Sequence, residues 1–491
     1  MKKIAKQFLI GFTPLLLVGC VSGAQIDEEF LARTENLGAV RQEVKQTTGN
    51  RTVWVQNKHH AAGLTKRVHK MVHKKTISAD TAVQVALLNN KGLQAAYAEL
   101  GLSATQVWQE SLLENPRVDI EILGIGAPGL GALRSIEGYV ARNILSLATR
   151  DRRIDIAETR FRQAQKRAVL ETLQLAGQTR AAWINAVGSF ETIYYLNQAQ
   201  VAADAASQLA ERLGQSGAIT KAAQSREHVF YAELTGQKAE AKLAAKTAKG
   251  ELTRLMGLWG QEVDYFVPDI LPNLPKKRKN KRHVEAEALK NRVDLQIAKL
   301  ELEALAKSYG LTEATRYLTD FEILAGAEIE REREEDEPGV NEVLTGQLAL
   351  DFNIPIFDSG KARLRRAELA YMRAANQLAE MAVNVRAEAR GAYTAYNARY
   401  DIARHYRNNV LPLRSNIEEE SLLTYNGMIT NTFELLQDTR GRINAVLLSA
   451  DAKRRFWLSD ANLSGAILAG AGNTGGDGGT VSVADNGGAG H

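Results

Sequence analysis

Residues 347–425 pass from a short strand straight into a helix of unusual length, and few folds can accommodate that joint. In QLALDFNIPIF, Leu348, Leu350, Phe352 and Ile354 alternate with Gln347, Ala349, Asp351 and Asn353, the period of a strand with one apolar face. Pro355 has no N–H to donate and ends the ladder. Asp358 and Ser359 offer N-cap oxygens, and helical periodicity then runs to about Ser421. Roughly 60 residues of helix extend about 90 Å. Tyr371, Ala374, Leu378, Met381 and Val385 recur in alternate steps of three and four, a coiled-coil seam. A compact domain has no use for so long a rod. Joined to amphipathic strands, it suits a chain that stands on a membrane and reaches away from it.

The same order of elements occurs twice. From Ser78, where Ser78 or Asp80 can cap a helix, Leu87, Leu88, Ala95, Leu102 and Val107 keep an apolar stripe up to Pro116. Val118, Ile120 and Ile122 then alternate with Arg117, Asp119 and Glu121. Gly124, Gly126 and Gly129 satisfy G-x-G-x-x-G, but Pro128 sits inside the motif and strand-like sequence follows, which predicts a hairpin loop and excludes a phosphate loop. A return strand over 136–146, interrupted by Arg142, leads to a long helix from Asp151 to about Gln215 with Phe161, Ala168, Leu175 and Ala182 on its seam. A turn at 214–217, a helix from about Thr220 to Leu258 and a break with three prolines over 260–275 complete the first half.

The pattern then restarts. Ala86-Leu87-x-Asn89 is matched by Ala288-Leu289-x-Asn291, and Arg180, Trp183 and Gly217 by Arg390, Tyr393 and Gly427. Phe321, Ile323, Ala325, Ala327 and Ile329 mark the third strand, followed by the acidic loop EREREEDE, where the second half carries its extra positions. An internal duplication is the simplest account. The last helix is expected to end near Leu458, and from Gly465 the chain is Gly-rich and charge-poor.

Four strands of about ten residues have the length to cross an outer membrane. In lipid a sheet must close, because open edges leave N–H and C=O groups unpaired. Four strands cannot close, so a barrel must be shared between chains. Two copies would give eight strands and a filled interior, whereas three would give twelve and leave room for a pore. Asp119, Glu121, Asp320, Glu322, Glu328 and Asp351 on the other faces tolerate a wet lumen. The alternative is a soluble sheet on a periplasmic coiled-coil scaffold.

Composition narrows the choices. The net charge of +5 is spread along the helices; the one dense basic run, KKRKNKR at 276–282, reads as a solvated linker, so no nucleic-acid partner is expected. The single cysteine, Cys20, follows Lys2, Lys3 and Lys6 and an apolar core from Phe8 to Leu17 that is too short to span a bilayer. Leu17-Val18-Gly19-Cys20 resembles the bacterial lipobox, which implies a signal peptide over 1–19 and lipidation, including palmitate, at Cys20. Val21 in place of Asp implies sorting to the outer membrane. Residues 20–77 then read as a polar tether. Its His59, His60, His69 and His73 lack a neighbouring carboxylate or thiolate, so no metal site is expected. No phosphate loop or nucleophile set stands out, and neither enzyme activity nor a cofactor is expected.

The segments ALLNNKGLQAAYAELGLSATQVWQESLLENPRV and NIPIFDSGKARLRRAELAYMRAANQ resemble the TolC-type outer-membrane efflux proteins, and the likeness covers about residues 78–463. The resemblance implies a mainly α protein with transmembrane β: duplicated helix–hairpin–long-helix repeats forming a trimeric α-barrel and a shared twelve-stranded barrel. The first repeat is expected over 78–275 with its hairpin at about 117–147. The second is expected over 276–463 with its hairpin at about 319–357, followed by a disordered tail over 464–491. A homotrimer anchored in outer-membrane lipid would act as a passive export channel of a tripartite efflux or type I secretion system, opened by a periplasmic adaptor and an inner-membrane pump. Gly217, Ile219 and Thr220, with Gly427, Ile429 and Thr430, resemble the family's adaptor-docking tips. Glu434 and Gln437 in FELLQDTR match positions that ring the tunnel entrance, where Gln437 departs from the usual acid.

Overall fold

A computed structural model of the chain describes residues 30–32, 37–126, 134–318, 320–332, 341–427, 429 and 432–470. Cys20, the signal segment, most of both hairpin loops, Thr430 and the Gly-rich end lie outside them. Among the described residues no helix is long and apolar enough to cross a membrane.

The chain gathers into two compact units. One contains Ala95–Ala168 and Asp294–Ala382; the other contains Arg41–Gln94, Val169–Val293 and the chain from Val383 onward. In order, the elements are α1 (Gly38–Thr48), α2 (Lys58–Val72), α3 (Ala79–Asn89), α4 (Lys91–Ser111), β1 (Arg117–Leu123), β2 (Ser135–Asn143), α5 (Ile144–Gln215) and α6 (Lys221–Met256). Then come α7 (Val284–Asn291), α8 (Val293–Ala314), β3 (Phe321–Glu332), β4 (Asn341–Phe352), α9 (Lys361–His405), α10 (Leu411–Asn426) and α11 (Thr432–Leu468).

The first unit holds the sheet. Its four strands lie in the order β1-β2-β3-β4, every pair antiparallel. The strands of the first hairpin have 7 and 9 residues and those of the second 12 each. The return strand β2 stops at Asn143, short of the expected Ser146, because Asn143 caps a helix: its Oδ1 accepts from Ser146 N at 2.8 Å. Helix α5 therefore starts at Ile144 rather than Asp151 and reaches 72 residues, about 108 Å at 1.5 Å per residue. In the same unit, Arg162 and Lys307 close on Glu303 at 2.7 and 3.0 Å. The hydrogen bond from Lys307, then that from Arg162, holds the Glu303 carboxyl below its ordinary value.

The second unit shows why matching residues recur in the two halves. Arg180 of α5 pairs with Asp80 in the first turn of α3 at 2.5 Å, and Arg390 of α9 pairs with Glu285 in the first turn of α7 at 2.7 Å. Trp183 Nε1 donates to the Ile77 carbonyl just before α3, while the Tyr393 hydroxyl accepts from Lys281 N just before α7. Each repeat thus fastens its opening helix to its long helix with one ion pair and one ring. The opening helices are themselves broken, which periodicity did not reveal. Asn90 (ψ 125°) separates α3 from α4, and Arg292 (ψ 122°) separates α7 from α8. The neighbouring amides act on α6: Asn89 Nδ2 donates to the Gly257 carbonyl at 2.6 Å and Asn90 Nδ2 to that of Leu255 at 3.0 Å, satisfying the end of that helix.

Several expectations are corrected. The segment read as a solvated tether folds: α1 and α2 bury Val44, Val68 and Val72, and Lys75 and Ile77 exchange hydrogen bonds with Phe266. The valines were hidden among lysines, histidines and threonines that face outward. His69 and His73 stack at 4.4 Å, and no group of three potential metal ligands occurs among the described residues. The basic run 276–282 is not a free linker. Lys279 N donates to the Tyr396 hydroxyl, the Tyr400 hydroxyl donates to the Pro275 carbonyl, and Arg278, Lys279 and Lys281 pair with Asp401, Asp460 and Glu287. The second long helix contains a π segment, Tyr406–Val410, before α10. The last helix passes Leu458 to Leu468 because Leu463, Ala466 and Ile467 are buried.

One buried charge pair fixes the proline-containing linker to the helices. Glu191 of α5 is 1% exposed; Lys453 of α11 lies 2.5 Å away, and Leu271 N donates to the same carboxylate at 3.1 Å. Removing one partner of such a pair costs about 3–5 kcal/mol, because the other charge is left buried alone. Lys453→Met is therefore expected to lower the denaturant midpoint sharply, and Lys453→Met with Glu191→Leu to recover most of the loss. Equal midpoints for the two variants would show that the pair is not what holds the linker.

Candidate functional site

The sheet has two chemically opposite faces, and its register explains both. Pairing sets Val118 opposite Val140, Val140 opposite Ala325 and Ala325 opposite Leu348. Four positions on, Ile122, Ile136, Ile329 and Leu344 align in the same way. Since successive side chains alternate, these rows share one face. Val118, Ile120, Leu344, Leu348 and Leu350 on it are all more than half exposed. A contiguous apolar face of this kind marks an interaction with lipid or protein.

The opposite face is polar. Glu121 lies opposite Glu137 and Glu137 opposite Glu328; Asp119 lies opposite Tyr139; Glu322 lies opposite Asp351. Gly326 lies opposite both Tyr139 and Gln347, and there the Tyr139 ring crosses. Its hydroxyl reaches both Glu137 and Gln347, and Gln347 Nε2 donates to Glu328 Oε2 at 2.8 Å. A Cβ at Gly326 would stand 2.4 Å from the Gly138 carbonyl oxygen, which is backbone and cannot turn aside. The strands β1 and β4 occupy the two ends of the strand order. Each has one row of peptide groups outside the described ladder.

The helical turns lie in the second unit. At the first, Ala218 N donates to Leu213 O and Gly217 N to Gly214 O, with Gly217 at φ +76°: a Schellman-like end that needs glycine. Thr220 Oγ1 accepts from Ala223 N and caps α6, and Ile219 is half-buried. The second turn differs. Gly427 has φ −78° and ψ 2°, a conformation open to any residue, so glycine is not required there as a left-handed cap. Its N–H donates to Leu423 O, and Ile429 is 81% exposed. Sequence identity between the turns therefore hides two backbone solutions.

Beyond the second turn, Glu434 and Gln437 are both exposed at the start of α11. The same segment contains a residue the motif alone did not single out. Arg440 pairs with Glu227 of α6 at 2.8 Å, donates to the Arg226 carbonyl, and lies 4.3 Å over the Phe230 ring. Glu227 is 5% exposed, so Arg440 carries the counter-charge that allows α6 and α11 to pack. An acid at a helical position facing an otherwise apolar stripe was the only signal in sequence. Nearby, Ser421 Oγ donates to Asp438, and Arg442 pairs with Glu418, joining α10 to α11.

No protein-family model and no curated protein matches the chain. Solved structures do. The Campylobacter jejuni CmeC outer-membrane channel matches with a TM-score of 0.62 at 17% identity, over 86% of this chain and 90% of that one. The Vibrio cholerae outer-membrane protein VceC matches at 0.64 and 15% identity, over 80% and 96%. CusC, described as forming a transmembrane channel, matches at 0.65 and 14% identity, over 80% and 92%.

Two substitution pairs test the geometry. Gly326→Val is expected to abolish protection of the Tyr139 and Val140 amides against exchange, whereas Gly346→Ala, with nothing within 4 Å, leaves it unchanged. Gly217→Ala is expected to cost about 1 kcal/mol of stability through its positive φ, and Gly427→Ala only a few tenths, read from melting curves.

Proposed function

We propose that this chain, whose fold is that of the TolC-type outer-membrane channels, forms a passive export conduit across the outer membrane and periplasm. The observation that carries the reading is the sheet: one exposed apolar face, one acidic and amide-rich face, and two strands at its ends. Lipid requires every backbone group to be paired, and four strands are too few to close. Three chains would supply twelve strands, with the apolar face toward lipid and Glu121, Glu137 and Glu328 toward water. The pairing β1-β2-β3-β4 supports this, since it leaves β1 of one protomer free to meet β4 of the next. Cys20 is the lipid attachment that would hold the trimer at the outer membrane.

The turns around Gly217, Ile219 and Thr220 and around Gly427, Ile429 and Thr430 are the surfaces for a periplasmic adaptor. The outward Ile429 supports the second as an apolar anchor. Glu434 and Gln437 stand at the conduit's entrance, and an inner-membrane pump supplies the energy. Such a conduit binds no cofactor and carries out no chemistry.

Planar-bilayer recording on the purified oligomer tests the whole reading. Discrete ion-conducting steps are expected. A lipid-bound oligomer that never conducts would overturn the channel and leave a coiled-coil scaffold on a lipid anchor.

A further inference from the structure

The second unit contains a cavity that the channel reading does not use. It lies between α5 and α11, closed at one end by the last turns of α6, and has a volume of about 610 Å³, within the range of small-molecule sites. Its walls divide by chemistry. Leu173, Ala181, Leu255 and Leu458 supply an apolar side. Gln174, Gln178 and Asn185 from one face of α5 and Asn462 from α11 supply amides, and Arg254, Arg399 and Arg455 supply charge against the single acid Glu251.

The partners of these groups decide the argument. Arg254 is held by Glu251 through two hydrogen bonds, and Arg455 by Asp451 at 2.6 Å. Arg399 is half-buried and has no ion pair or hydrogen bond among the described residues. The same holds for Gln174, Gln178, Asn185 and Asn462, all half-buried. All five are half-buried, so water still reaches them, and one guanidinium and four amides without a partner among the described residues stand ready for a ligand in one cavity, next to an apolar wall. A guanidinium matches a carboxylate with two parallel N–H···O bonds, and amides complete the remaining acceptor positions.

We propose that this cavity binds an amphipathic organic anion, with Arg399 as counter-ion for its carboxylate, the four amides around the head group and the leucine–alanine wall against its hydrocarbon part. The site depends on no assumption about conduction. A neutral ligand of the same length would leave the guanidinium unanswered, and a cationic one would be repelled.

Calorimetry with octanoate on the full chain in phosphatidylcholine nanodiscs tests the site. Saturable binding is expected, with 1-octanol at least tenfold weaker. Arg399→Gln and, separately, Asn462→Leu should each weaken octanoate at least tenfold while the melting midpoint stays within about two degrees. The second substitution answers the case in which the first fails to fold. Absence of saturable octanoate binding, equal affinity for octanol, or undiminished binding in the folded variants would each overturn the proposal. So would binding that appears only once residues 471–491 are removed, because the cavity would then belong to the chain's own end.

Discussion

An unpaired peptide group in hydrocarbon is the constraint on which the rest of this structure depends. Each such group costs several kcal/mol, and a strand at the end of a sheet carries a row of them. The sheet here exposes valine, isoleucine and leucine side chains on one face, which water disfavours, and ends in β1 and β4, which lipid disfavours unless they are paired. Neither solvent alone accepts the single chain. In the proposed channel the two penalties are removed together, because sheets join edge to edge with their apolar faces outward.

The duplication serves the same end. Each half contributes one hairpin, and each fastens its opening helix to its long helix with the same two devices, Arg180–Asp80 with Trp183–Ile77 and Arg390–Glu285 with Tyr393–Lys281. An arginine and a ring are enough because the helices need only a fixed register; burial along the seam supplies the rest. Where the halves part company, local backbone chemistry does it. One turn uses a left-handed Gly217, the other a right-handed Gly427, and only the second long helix carries a π segment, followed by Pro412.

The sequence made the strands, the long helices and the duplication legible because all three rest on periodicity, and periodicity survives tertiary context over long segments. Helix ends were less legible. Asn143 looked like a strand residue and acts as a cap; Ala466 and Ile467 looked like part of a glycine-rich end and are buried. The N-terminal helices were missed because their few buried valines are spaced among exposed cations, so mean polarity masked the stripe. The basic run was misread for a related reason: charge counts do not show that three tyrosine hydroxyls on α9 hold its backbone.

The candidate site divides along the same line. Its two-faced sheet follows from alternation and could be written down from residues alone. The Arg440–Glu227 pair could not, because it joins residues far apart in the chain and depends on which face of α6 turns inward. Glu227 is nearly fully buried, so α6 and α11 cannot separate at that level without either exposing the pair to water or leaving the carboxylate alone in an apolar seam. The first route lowers the cost of separation, since water solvates both charges; the second raises it. Contact between these helices is therefore governed by whether water reaches Glu227, and packed apolar residues in place of both partners would remove that dependence.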